Sequence, residues 1–346
     1  MCGTAPFVHT CVCPPLFTSV RAHTHARSAR RYRPTTLPPS LTKSPVIFHI
    51  HGGAWKLGDK SQTAWEFGYF LERGYTIVSS QYSFACYGYT GQDMHGDLTD
   101  AYAYLGTRAD EWNVDMDRVT VVGESAGGHL ATWLGYTLKK DDGSNAFNAV
   151  FNCYGPGNFE LWATLGNQWH GKPGDLDWPC TDDEFGTGRT STLYLLTNGE
   201  CTAESYRAMS ATNYITASSP PTITIHGTRD SLVPVVLSDD LHDKLDEAGV
   251  ENLLIKVAGG EHVLDYGYAG LPNQLLRYSF ERLLAGGMEE KGAYVGGGMD
   301  GILGWAGGWA ALVIWYTALH VQFKETKKRG ESSNVEEGNH MEMQIV

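Results

Sequence analysis

Apolar residues along this chain follow two alternating rhythms. Short apolar runs at Val46–Ile50, Tyr75–Ser80, Val119–Val122, Ala149–Cys153, Thr222–Gly227 and Leu253–Val257 read as buried strands. Between them, apolar positions recur at helical spacing. Trp65–Arg73 is one such helix, stopped by Gly74. Leu98–Trp112 is a second, with Leu98, Ala101, Tyr102, Leu105, Ala109 and Trp112 in one stripe. A third follows Ser125, a fourth spans Val236–Ala248 before Gly249, and Asn273–Leu284 closes the series. Asp115-x-Asp117-Arg118 reads as a polar turn ahead of the Val119 strand, since a metal site would need a third carboxylate nearby. Strands alternating with helices predict an α/β fold, a mostly parallel sheet with helices on both faces. Right-handed crossovers then bring the strand ends, and any site, to one edge of that sheet.

The rhythm fails elsewhere. Residues 1–44 are rich in Thr, Ser, Arg and Pro and carry no convincing strand, so a disordered N-terminal segment is expected there. The same composition suits an organelle-targeting leader, and an incorrect start of the reading frame is the plainer alternative. Residues 154–218 are rich in Gly, Thr, Asp and aromatics, including Trp162, Trp169, Trp178 and Tyr194. A long irregular insertion with aromatics is expected to be a small lid, the alternative being a satellite core under a loop. The ordered domain thus runs over 45–285, followed by a linker at 286–300. From 301 to 323 no residue is charged, and Lys324, Lys327, Lys328 and Arg329 follow at once. That run has the length and positive flank of a membrane span, so membrane anchoring is expected, with a cytoplasmic location as the alternative. Residues 324–346 read as a disordered tail.

Composition narrows the function classes. Apolar residues at 42% and charged residues at 19% describe a globular chain. A net charge of −13 argues against a nucleic-acid partner. Residues 1–58 nevertheless hold no Asp or Glu. The seven cysteines have no repeated spacing and read as free or buried thiols, although Cys180 and Cys201 could bridge within their loop-rich region. His49-x-His51 lacks a third ligand, so no metal is expected.

The candidate chemistry lies at the strand ends. Val119–Val122 runs into Gly123-x-Ser125-x-Gly127 and then a helix, the strand–turn–helix setting of a nucleophile elbow. Gly123 and Gly127 leave room for the two backbones to close around a strained Ser125. Asp230 follows the Thr222–Gly227 strand and His262 follows Leu253–Val257, so Ser125, Asp230 and His262 fall on one sheet edge as a candidate triad. Asp243 and Asp265 are alternative orienting acids. Gly52, Gly53 and Ala126 are candidate backbone donors to an oxyanion. His49 and His226 read as hydrogen-bonded strand-end residues, and Glu124 as a group that orients the elbow.

HGGAW at 51–55, GESAGGHLA at 123–131, HGTRDSLVP at 226–234 and GGEH at 259–262 together resemble the α/β-hydrolase esterase/lipase family. Within it, the hormone-sensitive-lipase-like and BD-FAE-like branch is the most similar, over roughly residues 45–285. The resemblance implies an α/β-hydrolase fold without cofactor, the triad Ser125, Asp230 and His262, and an oxyanion role for the HGG turn. It also implies a carboxylic-ester hydrolase acting on a small-molecule ester through an acyl-enzyme. Arylformamide hydrolases of the kynurenine formamidase type share HGGxW, and prenylcysteine methylesterases share HGGAW with Gly58 and Lys60. Both remain alternatives, with a non-catalytic receptor on the same fold as a third. Family members usually carry two further strands before HGG, which residues 1–44 do not display. Oligomeric state is not encoded in any of these patterns.

Overall fold

The computed structural model describes residues 29–61, 67–169, 196–200, 202–262, 321–324 and 340–345. Its strands are β1 (Ala29–Tyr32), β2 (Ser44–Ile50), β3 (Thr76–Ser80), β4 (Val114–Glu124), β5 (Ala149–Cys153), β6 (Thr222–Gly227), β7 (Asn252–Val257), β8 (Val321–Lys324) and β9 (His340–Ile345). They form one sheet in the order β1-β3-β2-β4-β5-β6-β7-β9-β8. All neighbours are parallel except the two outer strands, β1 and β8. This is the mostly parallel sheet that the sequence pattern predicts, in the α/β-hydrolase form that the family resemblance implies.

Helices α1 (Phe67–Glu72), α2 (Gly91–Thr107), α3 (Ala109–Trp112), α4 (Ala126–Thr137), α5 (Phe159–Trp169), α6 (Ala203–Met209) and α7 (Val236–Glu247) connect the strands. The central strands are buried on both sides, which explains why they read as continuous apolar runs. Alternate residues of β2 feed opposite faces. Val46, Phe48 and Ile50 pack with Leu98 and Leu105 of α2, Leu134 of α4 and Leu241 of α7. Ile47 packs on the other side with Phe70 of α1 and with Ile77. Helix α2 begins earlier than the predicted Leu98 because Thr90 and Asp93 form a capping box ahead of Gly91. It breaks at Arg108, whose backbone leaves the helical region, and Asn113 in the left-handed region ends α3.

Several expectations are corrected. Ala29–Tyr32, inside the segment predicted to lack strands, pairs antiparallel with β3. It has no apolar alternation to betray it; its backbone ladder is supported by the Arg30 and Arg31 guanidinium groups over the Tyr32 and Trp112 rings. Asp115–Arg118 belongs to β4 rather than preceding it, but the ladder jumps from Ser44–Val114 to Val46–Val119, so these residues bulge out of the pairing. Asp115 holds the bulge by accepting from the Asp117 N–H (2.9 Å) and Arg118 Nε (2.7 Å). Val321–Lys324 is a strand where the end of the 301–323 helix was expected, and His340–Ile345 is a strand within the predicted unstructured tail. Met341, Met343 and Ile345 alternate with polar residues, a period-two signal that length-based reasoning passes over. Residues 301–320 lie outside the described residues, as do the predicted helix 273–284 and Cys180 and Cys201. No helix among the described residues is long and apolar enough to cross a membrane.

Candidate active site

The sheet order reverses around β2 and β4, and the crevice beyond the C-terminal ends of two such strands is where open α/β sheets bind ligands. The turn after β2 carries Gly52 and Gly53, and the turn after β4 carries Ser125. Ser125 has φ 54° and ψ −118°, outside the ordinary regions for a residue with a side chain. The glycines around it are there for lack of space. A Cβ on Gly123 would run into the Gly127 carbonyl, and one on Gly127 into the Ile50 and His51 carbonyls. One on Gly52 would lie 2.9 Å from the Glu124 carbonyl oxygen and 3.5 Å from the Ser125 Cβ. The β2 turn is therefore packed directly on the elbow.

Asp230 and His262 arrive from β6 and β7. Ser125 Oγ lies 2.9 Å from His262 Nε2, and His262 Nδ1 lies 2.6 Å from Asp230 Oδ2. The three sequence-predicted residues thus form one hydrogen-bonded chain. Asp230 Oδ1 accepts from the N–H groups of Leu232 (2.9 Å) and Val233 (2.8 Å). Burial acts to raise the Asp230 carboxyl, but the bonds from His226 and His262 outweigh it and hold the group well below the usual carboxylate range. Asp243 lies within α7 and is not the residue that meets His262; Asp265 lies outside the described residues.

Ala126 opens α4, so its N–H sits in the first turn, where a helix leaves donors without intrahelical partners. Gly52 and Ala126 consequently border the nucleophile from two sides, while Gly53 packs on the Leu57 backbone. His51 N–H donates through Nδ1 to the Gly52 carbonyl (2.7 Å), and its ring stacks on Tyr82 at 4.5 Å. The Tyr82 hydroxyl donates back to the His51 carbonyl (2.9 Å). Burial pushes the His51 imidazole down to about 4, so it is neutral at pH 7.

His49 and Glu124 form a buried pair beneath the elbow. Both Glu124 oxygens lie 3.0 Å from His49 Nε2, and His49 Nδ1 contacts Ser79 Oγ at 2.8 Å. His49 and His51 thus serve different partners. Among the described residues no group of three or more His, Cys, Asp or Glu is arranged to hold a metal ion.

His226 is the hydrogen-bonded strand-end residue that the sequence predicts, but its partners, and the contributions of Tyr154 and His129, escaped the sequence reading. His226 Nε2 lies 3.1 Å from Asp230 Oδ2 and 2.8 Å from the Val233 carbonyl. Since the carbonyl can only accept, that nitrogen carries the proton. The four-residue spacing of His226 and Asp230 across one turn was the available signal. Tyr154, at φ 45°, sets its ring edge-on to His262 at 4.9 Å. His129 accepts from the Trp55 indole (3.2 Å), a contact between residues 74 apart that spacing cannot reveal. In the insertion, Phe159 and Trp162 of α5 pack on Trp55; residues 170–195 lie outside the described residues.

A sequence profile of the BD-FAE family matches residues 36–245. The Mycobacterium tuberculosis protein named probable carboxylic ester hydrolase LipM is 27% identical over 211 residues, covering 58% of this chain and 45% of LipM. The Arabidopsis thaliana protein named probable isoprenylcysteine alpha-carbonyl methylesterase ICMEL1 is 26% identical over 241 residues, 65% of this chain and 47% of its own. The chain therefore spans less than half the length of these relatives. Among solved structures, a truncated carbohydrate esterase from gut microbiota superposes with a TM-score of 0.58 at 19% identity, covering 78% of this chain and 96% of that one. That likeness concerns the fold.

Proposed function

The chain belongs to the BD-FAE family, and from that premise we propose that it is a serine hydrolase that cleaves carboxylic esters through an acyl-enzyme. The observation that carries this reading is the unbroken chain from Ser125 Oγ through the His262 ring to Asp230, with its members at the ends of β4, β7 and β6.

In the proposed mechanism, Ser125 Oγ attacks the acyl carbon while His262 Nε2 takes its proton. Asp230 accepts from Nδ1–H, which holds the reactive tautomer and offsets the imidazolium charge. Its ionised state follows from the four donors arranged around it. The backbone N–H groups of Gly52, Gly53 and Ala126 receive the oxyanion, and removal of one such donor typically costs about 10²–10³ in kcat. His262 returns its proton to the departing alcohol. Water then enters, activated by the same nitrogen, and releases the carboxylic acid and Ser125. The insertion 154–218 would shape the substrate pocket.

The test uses a fluorophosphonate probe with p-nitrophenyl acetate and butyrate on wild type and Ser125→Ala. The reading expects labelling and turnover in wild type only. Labelling or turnover that survives the substitution would remove Ser125 from its role, and a folded wild type inert to every reagent would favour a receptor. An aryl formamide and a prenylcysteine methyl ester belong in the same panel, the latter because of the likeness to the Arabidopsis relative. Membrane attachment, raised by the uncharged run 301–323, is tested by carbonate extraction of membranes; release into the supernatant rules out a span.

A further inference from the structure

Gly53, Ala54 and Trp55 hold consecutive φ values of +123°, +50° and +57°. For Ala54 and Trp55 this left-handed region is strained, and it persists only where surrounding contacts over-determine it. Part of the restraint is backbone: the Gly53 carbonyl accepts from Lys56 (3.0 Å) and Leu57 (3.1 Å), and the Trp55 carbonyl from Ala85 (2.8 Å). The rest falls on the Trp55 indole, which is buried against Phe159 and Trp162 and gives its one polar atom to His129 Nδ1.

His129 sits on the first turn of α4, where its own N–H donates to the Ser125 carbonyl (3.1 Å). One short helical turn therefore carries both the nucleophile and the acceptor that grips the facing turn. The other ring nitrogen, Nε2, lies 2.9 Å from the Met209 carbonyl at the end of α6. An indole only donates and a carbonyl only accepts, so the ring is the neutral Nε2–H tautomer. Burial, which holds this imidazole down at about 4, keeps it so at pH 7.

We propose that His129 is a positioning residue: by anchoring the Trp55 indole it sets the distance between the Gly52-Gly53 donors and Ser125, and through Met209 it registers α6 against the same turn. The inference rests on the serine-hydrolase reading above. Its physical content is that a strained turn released at Trp55 relaxes, and an oxyanion donor misplaced by about 1 Å can cost about 100-fold in rate without weakening ground-state binding.

The experiment compares wild type with Ser125→Ala, Trp55→Phe, His129→Leu, His129→Asn and the Trp55→Phe/His129→Leu pair, each checked for folding by circular dichroism. Leu fills the site with no polar atom. Asn can place its oxygen near the position of Nδ1 and so keep the acceptor for Trp55 while losing reach to Met209. Trp55→Phe and His129→Leu are expected to lower kcat about 10- to 100-fold with KM within about threefold. His129→Asn is expected to stay within about threefold of wild type, and the pair to be no worse than the poorer single variant. Wild-type kcat in folded Trp55→Phe, a loss confined to KM, or equal damage from Asn and Leu overturns the proposal. If His129→Leu does not fold, Trp55→Phe against His129→Asn decides. Failure of the parent reading looks different, because hydrolysis would then survive Ser125→Ala.

Discussion

The two halves of the site are held differently. On the β2–β4 side, Ser125 and the Gly52-Gly53 turn are placed by backbones in near contact, with glycines at 123 and 127 where any side chain would strike a carbonyl. On the β6–β7 side the backbones also close on each other, since a Cβ on Gly227 would strike the Gly260 carbonyl, but the Asp230 carboxylate is in addition held by the His226 and His262 rings and the Leu232 and Val233 N–H groups. Steric placement is all or none, whereas hydrogen-bonded placement can be weakened by degrees. The contrast teaches where the fold and where the chemistry is the more fragile.

Gly127→Ala is the severest test. The added methyl would collide with two carbonyls, and destabilisation beyond about 4 kcal/mol is expected, read as loss of a cooperative melt together with all activity. A folded, active Gly127→Ala protein would remove the distinction between the halves. Asp230→Asn should do the opposite: the protein melts cooperatively, but kcat falls about 10⁴-fold because the amide no longer selects the reactive His262 tautomer. His226→Gln should be milder, lowering kcat about tenfold at unchanged KM with destabilisation of about 1–3 kcal/mol from a buried bond lost. An effect as large as that of Asp230→Asn would make His226 part of the proton chain.

The pH dependence of stability leaves activity at pH 7 untouched, and it separates the halves by window. His51 and His129 on the elbow side, and His95 of α2, which meets Trp133 and Thr137 of α4, are driven down to about 4 chiefly by burial. Their folded values lie below the unfolded value of 6.5, so falling pH protonates the unfolded chain first. Their stabilisation is complete above about pH 6.5 and is lost down to about pH 4, at up to ~1.4 kcal/mol per pH unit for each. Asp230 is likewise depressed, from 3.8, so its contribution is lost only below about pH 4. Thermal melts of His95→Gln should show a shallower decline between pH 6.5 and 4 than wild type; an identical slope would count against the buried neutral imidazole.

Much of this was written in the chain. Buried strands such as Ala149–Cys153 and Thr222–Gly227 appear with their observed limits, because a strand covered on both faces must be apolar throughout. Ser125, Asp230 and His262 were legible because a parallel sheet places residues that follow its strands on one edge, whatever their separation in sequence. What has no apolar rhythm was illegible: Ala29–Tyr32 is held by a backbone ladder that any side chains can form.

The linear order of residues thus determined the central strands, the edge they share and the candidate triad, since periodicity and turn chemistry act over a few residues. Only folding decided that Asp115–Arg118 bulges from β4, that His226 shares the Asp230 carboxylate, and that Trp55 reaches His129. Those contacts depend on side-chain directions and on how β2, α4 and α6 stack, and no local spacing carries that information.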